Sequence, residues 1–124
     1  MERHKRLRRS GDVRQVFDEG KSWAHPLVVM IARPNGLALT RYGFTASRAV
    51  GKAVSRNRAK RLMREAARLL ASQVKPGWDI MLVARARILD AREHEVRGAL
   101  CELFQRARLW VEPASLDPSE GNRR

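Results

Sequence analysis

An α+β fold, a two-layer sandwich with helices packed on a central, mostly antiparallel sheet, follows from three features of these 124 residues. Apolar and β-branched residues run together at Leu27 to Arg33 (LVVMIAR) and Asp79 to Arg85 (DIMLVAR), the pattern of buried strands. Apolar residues recur at helical spacing from Gly51 to Leu70, and again after Asp90. The patterns alternate as helix, strands, helix, strand, helix, which is the order of a layered domain. With 44% hydrophobic residues the chain can bury one modest core. A single domain over 10–112 is therefore expected, preceded by a basic mobile segment, 1–9, and followed by a polar flexible tail, 113–124.

The elements follow in order. Residues 1–9 hold five Arg or Lys in nine positions. Ser10 can cap a short helix carrying Val13, Val16 and Phe17 on one face, with Gly20 ending it. The strand Leu27 to Arg33 runs to a turn signal, Pro34-Asn35-Gly36, and a second strand around Leu37 to Ala46 is expected to pair with it as an antiparallel hairpin. A basic helix occupies about Gly51 to Leu70. Pro76-Gly77 breaks the chain before the strand Asp79 to Arg85. Asp90 can cap the last helix, with Glu93 placed for a capping-box contact. Its positions Val96, Ala99, Leu100, Leu103, Phe104 and Ala107 then face the sheet.

Charge narrows the function. Twenty-six Lys and Arg against thirteen Asp and Glu leave +13, which concentrates polyanions around the chain. Nucleic acid is the leading partner class and anionic lipid the second. The longest apolar run, Leu27 to Ala32, is far short of the roughly 20 residues that span a bilayer. No apolar signal-peptide core follows the basic N-terminus, and the single Cys101 excludes an intrachain disulfide. A cytoplasmic location is expected, with no membrane partner.

The stretch Lys52 to Leu70, KAVSRNRAKRLMREAARLL, concentrates that charge. On a helical wheel Val54, Ala59, Leu62, Met63, Ala66, Leu69 and Leu70 fill about half the circumference. Arg56, Asn57, Lys60, Arg61, Arg64 and Arg68 fill most of the other half, with Arg58 and the one acid, Glu65, at the boundary. Like charges at i, i+4 such as Arg56-Lys60-Arg64-Arg68 cost a few tenths of a kcal/mol per pair, so the row works against its own helix. Arg outnumbers Lys five to one in it, and Arg is the side chain suited to bidentate phosphate contacts. A solvated face would interleave carboxylates. Ala53 and Ala67 lie within the basic arc and would let a partner backbone approach. No zinc pattern, zipper or helix-turn-helix pair stands out, which favours RNA over major-groove DNA.

The run GKAVSRNRAKRLMRE, Gly51 to Glu65, resembles the signature of the bacterial ribonuclease P protein subunit, and DVRQVFDEGKSW, RYGFTASRAVG and DIMLVAR match on either side of it. The likeness spans roughly Arg6 to Leu109. It implies a non-catalytic protein subunit of the ribonucleoprotein that removes 5′ leaders from precursor tRNA, with the RNA subunit as catalyst. By motif position, Arg56, Asn57, Arg58, Lys60, Arg61 and Arg64 would dock on that RNA, extended by Arg48, Lys52 and Arg68. The resemblance also implies a left-handed strand-helix-strand crossover through the basic helix, against the general right-handed rule. It further implies a cleft for the single-stranded leader whose aromatic positions fall on Val13, Phe17 and Met30. Only Phe17 is aromatic here, so leader affinity is expected either to be weaker or to lean more on phosphate contacts.

The protein alone offers no chemistry. A nuclease needs clustered carboxylates for metal ions or a paired acid and base, and the acids here are scattered. His4, His25 and His94 have no convergent partners, and Trp23, Trp78 and Trp110 sit near element ends where they cap the core. Cys101 reads as a half-buried hydrophobe. The expected partners are the ribonuclease P RNA subunit and precursor tRNA. No metal, cofactor or small molecule is expected on the protein itself, and magnesium is expected in the RNA subunit. Two rivals remain at this stage: a basic RNA-binding module of ribosome assembly with no processing role, and a small phosphodiesterase acting alone.

Overall fold

The computed structural model describes residues 2–112, so the expected tail, 113–124, lies outside the described residues. A 3-10 turn, Arg3–Lys5, leads to α1 (Ser10–Glu19), β1 (Lys21–Ala24), β2 (Val28–Pro34), β3 (Arg41–Ala46), α2 (Ala53–Leu70), β4 (Trp78–Ala84) and α3 (Glu93–Arg106). The α+β sandwich stands, with helix, strand, helix, strand, helix in the expected order.

The sheet order is β1-β2-β4-β3. This corrects the expected hairpin, because β2 pairs antiparallel with β1 and with β4, and never with β3. The strand that arrives after α2 inserts between them and runs parallel to β3, Tyr42 opposite Ile80 and Phe44 opposite Leu82. The Pro34-Asn35-Gly36 signal therefore opens a longer connection. Asn35 anchors it, its Nδ2 donating to the Leu39 carbonyl and to Asp79 Oδ1 at 3.1 and 2.9 Å. The first strand, β1, was not foreseen, since KSWA has neither an apolar run nor alternation.

Strand parity sorts the core into two faces. Val28, Met30 and Ala32 of β2, Tyr42 of β3, and Ile80, Leu82 and Ala84 of β4 pack with Ala59, Met63, Ala66 and Ala67 of α2 and with Val96, Leu100, Leu103 and Phe104 of α3. Ile31 and Met81 point to the other face, where they meet Val16 of α1 and Leu7. Thus α2 and α3 form one layer, while α1 covers part of the opposite face. Gly20 ends α1 as expected, but at φ −78 its reason is space. A Cβ there would lie 2.6 Å from the Val16 carbonyl oxygen and 2.7 Å from Ile31 Cγ2.

Helix starts differ from expectation. Arg9 occupies the cap of α1 without a side-chain bond, and Ser10 is already helical. Asp90 closes a 3-10 turn, Ala86–Asp90; the α3 cap is Arg92, whose N–H donates to Glu95 Oε1 at 2.8 Å. The segment 1–9, expected to be mobile, is pinned at its end. Leu7 N–H donates to the Tyr42 carbonyl at 2.8 Å and its side chain is buried, because an apolar residue inside the basic run finds a place against Ile31 and Met81.

One buried acid fixes the β3–β4 register. Asp79, 1% exposed, accepts from Arg41 Nε and Nη2 at 2.8 and 2.7 Å. Arg41 also reaches Asp12 of α1 at 3.6 Å, and the Asp79 hydrogen bond holds its guanidinium above its ordinary pKa.

Candidate nucleic-acid interface

The approach to α2 is shaped by Gly51, whose φ of +114 turns the chain out of the 3-10 turn Arg48–Val50 and into the helix. Arg48 and Lys52 flank that turn and are exposed. Along α2, Arg56, Asn57, Arg58, Arg61 and Arg68 are exposed, while Lys60 and Arg64 are half-buried.

The wheel reading needs rotating. Val54 is 82% exposed and Leu69 41%, whereas Ala67, placed in the basic arc, is fully buried. The helix wedges against both β3 and α3, so its buried arc turns toward Met63 and Ala67, and the expected approach of a partner at Ala67 is closed. The turn carries Arg56 and Arg64 toward the edge of the sheet. Arg56 Nη2 donates to the Ala46 carbonyl at 3.3 Å, and the Arg64 guanidinium stands 6.0 Å from the Phe44 ring centroid. Arg58 and Arg61 line a shallow groove with Leu62, Glu65 and Glu93.

Among the described residues, Arg68 pairs with Glu65, Nε to Oε2 at 3.2 Å, and this hydrogen bond holds the Glu65 carboxyl below its usual range. Among the described residues no other cation of α2 forms an ion pair with an acid. Of the eight cations named from the sequence between Arg48 and Arg68, seven have no carboxylate partner among the described residues.

The proposed cleft residues do not all meet. Val13 packs against the cluster of Leu7, Val16, Ile31 and Met81 on the α1 side of the sheet, as Val29 and Val83 do. Phe17, one helical turn further along α1, is 46% exposed. Met30 is fully buried on the opposite side, among α2 and α3, which corrects its place in the cleft. Its phase along β2 is that of Val28 and Ala32, and the residues in phase with the cleft face are Val29 and Ile31. Where α1 leaves that face uncovered, a groove of about 790 Å³ opens over Val29 and Val83, edged by His25, Arg85 and Arg87. An apolar floor with a cationic rim suits single-stranded nucleic acid, whose bases stack or pack while its phosphates seek charge. Arg85 and Arg87 escaped the sequence reading because their charge lies outside the basic helix. Only the adjacency of their strand end to β2 draws them in.

His25 Nδ1 accepts the Leu27 N–H at 3.0 Å in the turn between β1 and β2. Trp110 stacks on Phe104 at 6.5 Å between centroids, the core-capping role expected of it. Cys101 is half-buried, and burial pushes its thiol pKa up, Glu112 adding to the shift. Among the described residues no group of three or more His, Cys, Asp or Glu is placed to hold a metal ion, and no helix is long and apolar enough to cross a membrane.

Comparison with known proteins gives a consistent result. The profile of the family described as Ribonuclease P matches residues 1–108. The ribonuclease P protein component of Herpetosiphon aurantiacus is 40% identical over 110 residues, covering 89% of each chain. That of Alkaliphilus oremlandii is 41% identical over 104 residues, 84% of this chain and 91% of its own. The solved ribonuclease P protein of Thermotoga maritima superposes with a TM-score of 0.74 at 33% identity, over 82% of this chain and 96% of that one. The Staphylococcus aureus protein gives 0.76 at 25% identity, over 86% and 97%.

Proposed function

We propose that this chain, which belongs to the ribonuclease P protein family, docks the basic face of α2 on the enzyme's RNA and holds the leader of precursor tRNA on the open side of its sheet. The chain is the protein component of the endoribonuclease ribonuclease P, a subunit associated with the ribonuclease P RNA. The observation that carries the docking assignment is the row Arg56, Arg58, Lys60, Arg61 and Arg64, with Asn57 among them and Arg48 and Lys52 beside them, whose cations no acid neutralises among the described residues. A helix that bears the mutual repulsion of its cations is completed by a polyanion.

The mechanism is electrostatic and positional. The arginine row screens repulsion between the catalytic RNA and its substrate. The groove over Val29 and Val83, with Val13 and Phe17 from α1 and the rim cations Arg85 and Arg87, holds the leader extended. Holding the leader would leave the scissile phosphate to the RNA subunit, where magnesium would supply the metal-ion chemistry, and the protein is assigned no acid, base or metal ligand. Such an assembly belongs in the cytoplasm, where precursor tRNA is made.

The test is reconstitution. Added to its cognate RNA subunit at low magnesium, the chain should stimulate cleavage of precursor tRNA, whereas a ribosome-assembly module would not. The Arg56→Ala, Arg58→Ala double variant should bind that RNA more weakly, and its plot of log affinity against log salt should flatten by roughly two phosphate contacts. Unchanged affinity and slope would remove the docking assignment.

A further inference from the structure

We propose that Arg6 and Arg64, with Arg8 at the rim, form a phosphate clamp at the outer edge of β3, which carries the RNA contact of the helix motif onto the segment before α1. The clamp deepens the docking reading above and rests on it.

Three placements converge on this edge. First, β3 ends the sheet, and the segment before α1 adds to its open side: Arg6 forms a parallel bridge with Tyr42, and Leu7 N–H bonds the Tyr42 carbonyl at 2.8 Å. Second, Leu7 is buried on the α1 side with Ile31 and Met81. Alternation along an extended segment then sends Arg6 and Arg8 to the other side, the one Tyr42 and Phe44 present to α2. Third, Arg64 reaches that same place from α2, its guanidinium 6.0 Å from the Phe44 ring centroid.

The electrostatics agree with the geometry. Arg6 is held below its ordinary pKa, by burial first and then by the neighbouring charges of Arg64 and Arg8. Arg64 Nε is buried and, among the described residues, has no hydrogen-bond acceptor. The nearby acid Glu2 is engaged by Lys5 and His4, and none of the three arginines forms an ion pair among the described residues. Buried polar donors are almost always satisfied, so the open Nε leaves the half-exposed Arg64 guanidinium uncommitted among the described residues and able to turn to an outside anion. Two neighbouring guanidinium forks, close enough for the charge of Arg64 to act on Arg6, suit the oxygens of a single phosphodiester. Arg6 and Arg8 then continue the cationic track of α2 across the sheet edge.

Arg6→Gln distinguishes a ligand contact from a structural one. The backbone bonds of the segment remain, and a repulsion with Arg64 is removed. The melting temperature of the free protein should therefore hold or rise, while RNA affinity falls about tenfold, as for loss of a charged hydrogen bond. The salt slope should lose roughly one phosphate contact. Arg64→Gln alone should behave alike, and the double variant should lose less than the sum, because both forks serve one phosphate. Binding is measured to the RNA subunit alone and, with the assembled enzyme, to precursor tRNA. A loss in the first arm assigns the phosphate to the RNA subunit, a loss confined to the second assigns it to the substrate, and either supports the clamp. Unchanged binding in both arms overturns it, as does weaker binding accompanied by a lowered melting temperature. If the wild-type chain itself fails to stimulate the RNA, the docking reading falls and the clamp falls with it.

Discussion

Phe17 leaves 46% of its surface in solvent, although the core beside α1 has taken Val16 entirely. An exposed aromatic on the helix that covers this face of the sheet can act as a stacking platform, worth about 1–3 kcal/mol per base. Phe17→Ala should therefore weaken binding of leader-bearing substrate by that amount and leave mature tRNA binding alone; equal losses on both substrates would remove Phe17 from the cleft. Thermal stability should barely change, since so little packing is lost. Met30 makes the contrast. Its identity in a run of six apolar residues carried no information about direction, because Leu27 to Ala32 is apolar on both faces. Parity became readable only once α1 and α2 were seen on opposite sides. Most arginines of α2 needed no such help, since exposure is what an unpaired cation usually adopts; Arg64, half-buried over Phe44, is the exception.

At the scale of the element, α2 was legible in type and extent but not in rotation. Its periodic pattern located the helix to within two residues, yet a wheel assumes one flat neighbour, and α2 has two. Packing against both β3 and α3 buried Ala67 and released Val54. The one acid on the helix, Glu65, engages Arg68 and withholds it from a partner. Glu65→Gln should release that guanidinium, tighten RNA binding by roughly twofold to fivefold and steepen the salt slope by up to about one contact. Because Arg68 lowers the carboxyl's pKa, the pair persists above the ordinary glutamate range and is lost as pH falls through the lowered folded value. Wild-type and variant affinities should therefore converge only at strongly acidic pH. A variant that binds no better than wild type at neutral pH would mean Arg68 faces no phosphate.

For the whole molecule, the buried carboxylate of Asp79 ties β4 to β3 through Arg41, to the connecting loop through Asn35, and by way of Arg41 to Asp12 of α1. Removing one member of a buried pair strands its partner, so Asp79→Ala should cost about 3 kcal/mol, near the lower end for such pairs because Asp12 still faces Arg41. Urea unfolding measures this, and RNA affinity of the remaining folded protein should be unaltered. What the sequence determined by itself was whatever depends on local pattern and summed charge: the class of fold, most of the elements, the polyanionic partner and the arginine face. Strand order, the side on which α1 lies, the pinning of Leu7 and the pairing of Arg6 with Tyr42 were decided only in the tertiary structure. These depend on contacts between residues far apart in the chain, such as β4 entering between β2 and β3. No window of neighbouring residues records which distant strand will offer the better-matched edge.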